Sequence, residues 1–190
     1  MKWDDEHLYA LISVRRRSEG LFRRGNLLGL EIKTKKMNLA EEGDFLISKM
    51  QIVHGASGLV TSEFDGMHVS DSYIILRARE LNQFSIHFFN WLSKLRLMYH
   101  HALFSSYGVH IEKMTFNLAD YLKHRIAIPS SIQEQRAIVG VLETVDRELD
   151  LLRAQLDALR EQKRGLMQQL LTGKKRVKML PTEAIAEEES

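Results

Sequence analysis

The stretch SIQEQRAIVGVLETVDRELDLLRAQLDALREQKRGLMQQLLT, Ser131 to Thr172, decides the architecture of this chain. Its apolar residues Ile138, Leu142, Val145, Leu149, Leu152, Leu156, Leu159, Leu166 and Leu170 follow one another in alternating steps of four and three, and Lys163 fills the slot between Leu159 and Leu166. This is the 3.5-residue repeat of a helix that buries a narrow seam against another helix. Leu142, Leu149, Leu156 and Leu170 share one seam position with Lys163; Ile138, Val145, Leu152, Leu159 and Leu166 occupy the other. Pro129 bars helix just upstream, Ser131 and Glu134 form an S-x-x-E capping box, and Gly173 lets the chain stop in a left-handed turn. A rod of roughly 60 Å follows from about 1.5 Å of rise per residue. That is too long to bury in one small core, so it is expected to dock along a second helix.

Outward from the rod, 190 residues leave room for one globular unit. Cysteine is absent, which excludes disulfides and thiolate metal sites and suits a reducing compartment. No run approaches the roughly 18 apolar residues of a membrane span, and the opening Met-Lys-Trp-Asp-Asp-Glu is too polar for a secretory signal. A cytoplasmic protein is expected, with no membrane association. The net charge of +2 hides a local excess: from Arg15 to Lys36 there are eight basic residues against Glu19 and Glu31. Such a cluster suits a polyanion. Glu183 to Ser190 is acidic and lacks a core-forming pattern, as expected of a solvated tail.

The region before the rod reads as strand-rich. Short strands are expected around Leu11–Val14 and Leu27–Ile32, then at Phe45-Leu46-Ile47 behind the Gly43-Asp44 turn and at Leu59-Val60-Thr61. Asp65-Gly66 has hairpin-turn chemistry and precedes a strand or strand pair through Met67, Val69 and Tyr73 to Leu76. Phe88, Trp91, Leu92, Leu95 and Met98/Tyr99 keep a helical period over Ser85–Tyr99. A loop is expected over 105–118, a helical turn at Leu118–Leu122 and a short strand at Ile126-Ala127-Ile128. The fold class is therefore α+β, a mostly antiparallel strand-rich unit over residues 1–128, followed by one long coiled-coil helix over 129–173 and a charged tail over 174–190.

No catalytic constellation stands out. Phosphate-cradling glycine loops are missing, adjacent His100 and His101 diverge by about 100° on a helix, and Ser62, Ser70 and Ser72 lack a nucleophile elbow. Glu63 and Asp65 have no suitably spaced lysine for a metal-dependent nuclease. No metal ligand set, no cofactor site and no enzymatic activity are expected in this chain.

Three separated motifs carry a family resemblance: Ile126-Ala127-Ile128-Pro129, then Glu134-Gln135-Arg136-Ala137-Ile138, then Leu166-Met167-Gln168-Gln169-Leu170-Leu171-Thr172-Gly173-Lys174. With Gly43-Asp44-Phe45-Leu46-Ile47-Ser48-Lys49, they resemble the specificity subunits of type I restriction–modification systems. The resemblance implies a noncatalytic subunit that recognises double-stranded DNA and directs adenine methylation and restriction to a bipartite target. In that family two target recognition domains, each followed by a conserved helix, make a full subunit whose helices pack antiparallel. One domain and one helix here correspond to half a subunit, expected to homodimerise through the seam. Before residue 40 there is little room for the family's opening strands, so the first domain reads as N-terminally short. Implied partners are modification subunits, which hold S-adenosylmethionine, and a restriction subunit using ATP and Mg. Two other readings stay open: a free-standing coiled-coil DNA-binding regulator, and a truncated remnant without function.

Phosphate contacts need Lys and Arg, and base edges need polar groups on a fixed backbone. Candidates for phosphate contact are Arg15, Arg16, Arg17, Arg23, Arg24, Lys33, Lys35 and Lys36, with Lys49, Gln51, His54, Ser57, His68 and Ser70 for base reading. Each has a plainer role available: exposed arginines are commonly only solvated, and His54 beside Gly55 suits bracing a turn. Beside the seam, Leu151, Ala158 and Gly165 recur every seven residues with Val141 nearby, a strip expected to receive a modification subunit.

Overall fold

The computed structural model describes residues 3–177. It divides into two compact units, Met1–Val141 and Leu142–Ser190. The first is α+β, with antiparallel-rich sheets, and the long helix follows. The acidic segment from Glu183 lies outside the described residues.

The first sheet is built on a hairpin of β1 (Leu8–Val14) and β2 (Leu21–Leu28). Strands β3 (Met37–Leu39) and β6 (His68–Ser70) complete it in the order β2-β1-β6-β3. All pairings are antiparallel except β1 with β6. Strand β1 is central and buries residues on both faces, Tyr9 and Leu11 towards one core and Ile12 and Val14 towards another. The N-terminal forty residues therefore supply the longest strand pair and part of the main core. Strand β2 ends at Leu28, and the expected strand at Leu27–Ile32 gives way to a 3-10 turn over Gly29–Glu31.

The second sheet places β4 (Phe45–Ser48) between β5 (Ser57–Leu59) and β7 (Tyr73–Leu76), all antiparallel. The Phe-Leu-Ile run is buried as read from sequence. Its alternation sorts Leu46 into the core shared with Ile12 and Val69, and Phe45 and Ile47 into a second core. Helices α1 (Ile86–Leu92) and α2 (Arg96–Phe104) supply Phe89, Met98 and Ala102 to that second core. A two-stranded ladder of β8 (Ser106–Tyr107) and β9 (Thr115–Phe116) and the short α3 (Leu118–Tyr121) add Phe116 and Tyr121. Buried Asp44 holds the opening of β4. Its carboxylate accepts from Arg77 Nε at 2.6 Å and Nη2 at 3.0 Å, and from the Glu41 N–H at 2.9 Å.

Several local expectations are corrected. Asp65-Gly66 does not close a hairpin, because β5 and β6 belong to different sheets. Asp65 accepts from the Glu42 N–H and Gly66 donates to the Ala40 carbonyl, so this turn carries the chain from one sheet to the other. The helix expected over 85–99 breaks in two. Ser93 Oγ donates to the Asn90 carbonyl at 2.8 Å, and Leu95 is extended before α2. The expected loop over 105–118 contains the β8–β9 ladder. Ile126-Ala127-Ile128 finds no ladder partner and is not a strand, although Ile126 packs on the second core.

Helix α4 (Ile132–Leu171) runs forty residues and the chain leaves it at Gly173 with φ +73°. At its start, Ser131 Oγ accepts from the Glu134 N–H at 3.4 Å. Gln135 and Val139 in its opening turns are buried, so the first unit includes the helix start. No helix among the described residues is long and apolar enough to cross a membrane.

Candidate nucleic-acid interface

Candidate basic residues of the first unit gather at two places. One lies at the turn joining β1 to β2. Arg17 and Ser18 adopt left-handed backbone angles (φ 60° and 54°), a conformation stabilised by contacts to another loop. The Arg17 N–H donates to the His54 carbonyl at 2.6 Å, the Ser18 N–H donates to the Gly55 carbonyl at 2.9 Å, and Ser18 Oγ meets Tyr99 Oη at 2.8 Å. Gly55 is required here: φ is +71°, and a Cβ would lie 2.2 Å from Tyr99 Oη. The arginine turn is thus riveted to the segment that presents Gln51 and His54.

Arg16 spans this junction. Its Nε donates to Gln51 Oε1 at 2.8 Å and its Nη2 to Glu112 Oε2 at 2.9 Å. The other oxygen of Glu112 lies 3.0 Å from His54 Nε2, off the direction a hydrogen bond needs. Arg15 turns back, donating from Nη1 to the Leu21 carbonyl at 3.0 Å and covering the Phe22 ring. Arg17 is exposed, and its guanidinium has no ion-pair partner among the described residues. The result is a fixed loop cluster with a free cation at its tip and a glutamine and a histidine beside it.

The second group surrounds a cleft of about 410 Å³ on the first sheet. Strands β2 and β3 are the two edges of that sheet, so the connection over residues 29–36 crosses its face. Arg24, Lys33, His68 and Ser70 line the cleft together with Thr34 and Tyr73. His68 is 8% exposed and its ring meets Tyr9 edge-on at 5.1 Å. Burial holds its imidazole below the ordinary value of 6.5, with a smaller opposing effect from the Ala10 backbone.

Other candidates are placed differently. Lys35 Nζ is a brace, donating to Asp5 Oδ1 and the Gly29 carbonyl at 2.8 Å each and lying over Trp3. Lys49 Nζ donates to the Asp71 carbonyl, and its own carbonyl accepts from the Phe116 N–H. Ser57 is 4% exposed inside β5 and does not reach the surface. Arg23 and Lys36 are exposed and belong to neither group. Glu112, Tyr99, Thr34 and Tyr73 escape sequence reasoning, since no motif links Arg16 to a glutamate 96 positions away.

The long helix presents a second surface. Val145, Leu149, Leu152, Leu156, Leu159, Leu166 and Leu170 are each between 42 and 53% exposed. Ion pairs Asp150–Arg153, Asp157–Arg160 and Glu161–Arg164 lie along the helix. In the neighbouring strip Val141 and Leu151 are exposed, and nothing lies within 4 Å of a Cβ placed on Gly165.

No protein-family model matches the chain, and no curated protein matches it in sequence. Solved structures do. The HsdS subunit from Thermoanaerobacter tengcongensis shares 17% identity at a TM-score of 0.65, over 86% of this chain and 42% of that one. A chain from a study of complex assembly and conformational transition in the type I R-M system shares 15% identity at a TM-score of 0.60, over 93% of this chain and 46% of that one. The chain spans less than half the length of either. An α+β unit bearing two basic loop groups, continued by a leucine-seamed helix, is thus built on the fold of the HsdS specificity subunit of type I restriction–modification systems.

Proposed function

We propose that this chain is a noncatalytic, sequence-specific DNA-recognition component of a type I restriction–modification complex, equivalent to half of a specificity subunit. Two copies pair along the leucine seam and hold two reading units at a set separation on double-stranded DNA. Two-fold pairing makes the target bipartite and symmetric, with an unread spacer. In each unit the riveted turn sets Arg17, and Arg16 once it leaves Glu112, against phosphates, and places Gln51 and His54 beside them for contact with base edges. The strip of Val141, Leu151, Ala158 and Gly165 receives a modification subunit. That partner holds S-adenosylmethionine and flips the target adenine out of the stack. A restriction subunit adds ATP- and Mg-dependent cleavage.

One observation carries this reading: the HsdS fold, spanning less than half that subunit's length, occurs with an exposed apolar seam on a forty-residue helix. Co-expression with a type I modification subunit, followed by mapping of methylated adenines, tests it. Methylation at an interrupted two-fold symmetric sequence is expected. Tight sequence-specific binding with no methylation and no complex makes the chain a stand-alone regulator, and neither activity makes it a remnant.

A further inference from the structure

We infer that the cleft on the first sheet is a binding site for a single nucleoside phosphate, with its ring against Leu27 and Met37 and its phosphate drawn to Arg24 and Lys33. The inference goes beyond duplex reading, because a paired and stacked base cannot enter a cleft. Its volume of about 410 Å³ lies within the roughly 300–1,000 Å³ typical of small-ligand sites. Leu27 and Met37, over buried Leu11 and Ile12, give it accessible apolar surface that a bare anion leaves uncovered. Arg24 comes from the edge strand and Lys33 from the crossing segment, and neither has an ion-pair partner among the described residues.

The polar groups sort clearly. Glu31 also lines the cleft; one of its oxygens accepts from the Leu28 N–H at 2.8 Å, and its charge offsets one of the two cations, leaving the lining net positive. Tyr73 Oη is bonded to Ser13 Oγ and Ser70 Oγ to Ser72 Oγ, both at 2.6 Å. Thr34 Oγ has no protein partner, and buried His68 keeps Nδ1 without one. Burial keeps that imidazole neutral near pH 7, so the histidine adds a polar wall without repelling the two cations. Accessible Leu27 and Met37, two cations without ion-pair partners and the unpartnered His68 Nδ1 suit a nucleotide better than a bare anion.

Free nucleotides and an unstacked nucleotide in a DNA strand share this chemistry. Calorimetric titration of the full chain with AMP, CMP and inorganic phosphate tests the site. Binding of both nucleotides below millimolar concentration is expected, much tighter than phosphate. The Arg24→Gln/Lys33→Gln variant, altered only at exposed unpaired side chains, is expected to bind them roughly tenfold or more weakly through lost charge-assisted hydrogen bonds. Arg125→Gln, exposed and outside the cleft and both basic groups, leaves nucleotide binding unchanged. Failure of the wild-type chain to bind, phosphate binding as tight as AMP, or an unaffected double variant overturns the site. A duplex with one unpaired nucleotide, compared with a fully paired duplex, identifies the source. Tighter binding of the former, lost in the double variant, assigns DNA; equal binding assigns the free nucleotide. Duplex affinity itself bears on the proposed function and is read separately.

Discussion

Gln135 Oε1, wholly buried in the first turn of α4, accepts the backbone N–H of Ser85 at 2.9 Å, just where α1 begins. The same amide donates from Nε2 to the Gln83 carbonyl at 3.1 Å and the Pro129 carbonyl at 2.8 Å. One side chain thus satisfies three backbone groups in two chain segments, at Gln83–Ser85 and at Pro129. Such groups cost free energy when left unmet in a dry site. Gln135→Ala is expected to destabilise the first unit by about 2–4 kcal/mol, read as a lowered urea midpoint. Gln135→Glu is expected to be at least as harmful, since it sets a carboxylate oxygen against two carbonyls. A midpoint unchanged by either substitution excludes the role.

Glu112 sits between Arg16 and His54 where the proposed DNA path runs. Arg16 and Glu112 side chains are 47 and 56% exposed, so their pair adds no more than about 1 kcal/mol to stability. Its effect on a polyanion is larger, because the carboxylate occupies a cation and repels phosphate. Glu112→Gln is expected to tighten binding to any duplex several-fold and to steepen the slope of log affinity against log salt by about 0.9, one extra phosphate neutralised. Fluorescence anisotropy across a salt series measures both, and an unchanged slope rules the effect out.

What was legible in the sequence was whatever a local period encodes. The four-three spacing of Leu142 to Leu170 gives the helix and its exposed seam, and Phe45-Leu46-Ile47 gives a strand buried on both faces. Illegible were pairings between distant segments. Asp65-Gly66 has hairpin chemistry, but its neighbours pair elsewhere, because β6 finds β1 and β3 rather than β5. The Ser85–Tyr99 period continues smoothly through Ser93, whose hydroxyl bonds the Asn90 carbonyl where the helix stops. Among candidate site residues, charge alone could not separate Arg17, free at a turn, from Lys35 and Lys49, spent on carbonyls and Asp5. Gln135 was visible as part of a motif, but its three bonds depend on where α1 happens to start.

Two histidines are expected to make stability fall on acidification. Burial lowers the pKa of His68, with His7 adding to the effect. His101 is lowered by burial, then by His124, whose ring stacks on it at 4.2 Å, and by His100. Each binds protons more weakly folded than unfolded, so between the folded value and 6.5 the unfolded chain holds more protons. Their contribution is fully present above 6.5 and is lost as pH falls below it. The urea midpoint is expected to fall from pH 7.5 to about 5.5, and to fall less in His68→Phe and His101→Phe. Identical pH dependence in the variants and the wild type argues against these two groups as the cause.

Seam and strip on α4 are separable by substitution. Leu156 lies in the middle of the seam, 47% exposed, and Ala158 lies on the strip beside it. If a second copy covers the seam, Leu156→Ala removes a packed side chain at about 2–5 kcal/mol per copy, and sedimentation should show monomer where the wild type is dimeric. Ala158→Arg adds a long cation to a surface that the partner helix does not cover. Pairing is therefore expected to survive while capture of a modification subunit in a pull-down is lost. A wild-type chain that stays monomeric at high concentration removes the seam's role. An Ala158→Arg chain that still captures the modification subunit removes the strip's. Only the two losses occurring independently agree with one helix that pairs along one edge and docks a partner along the next.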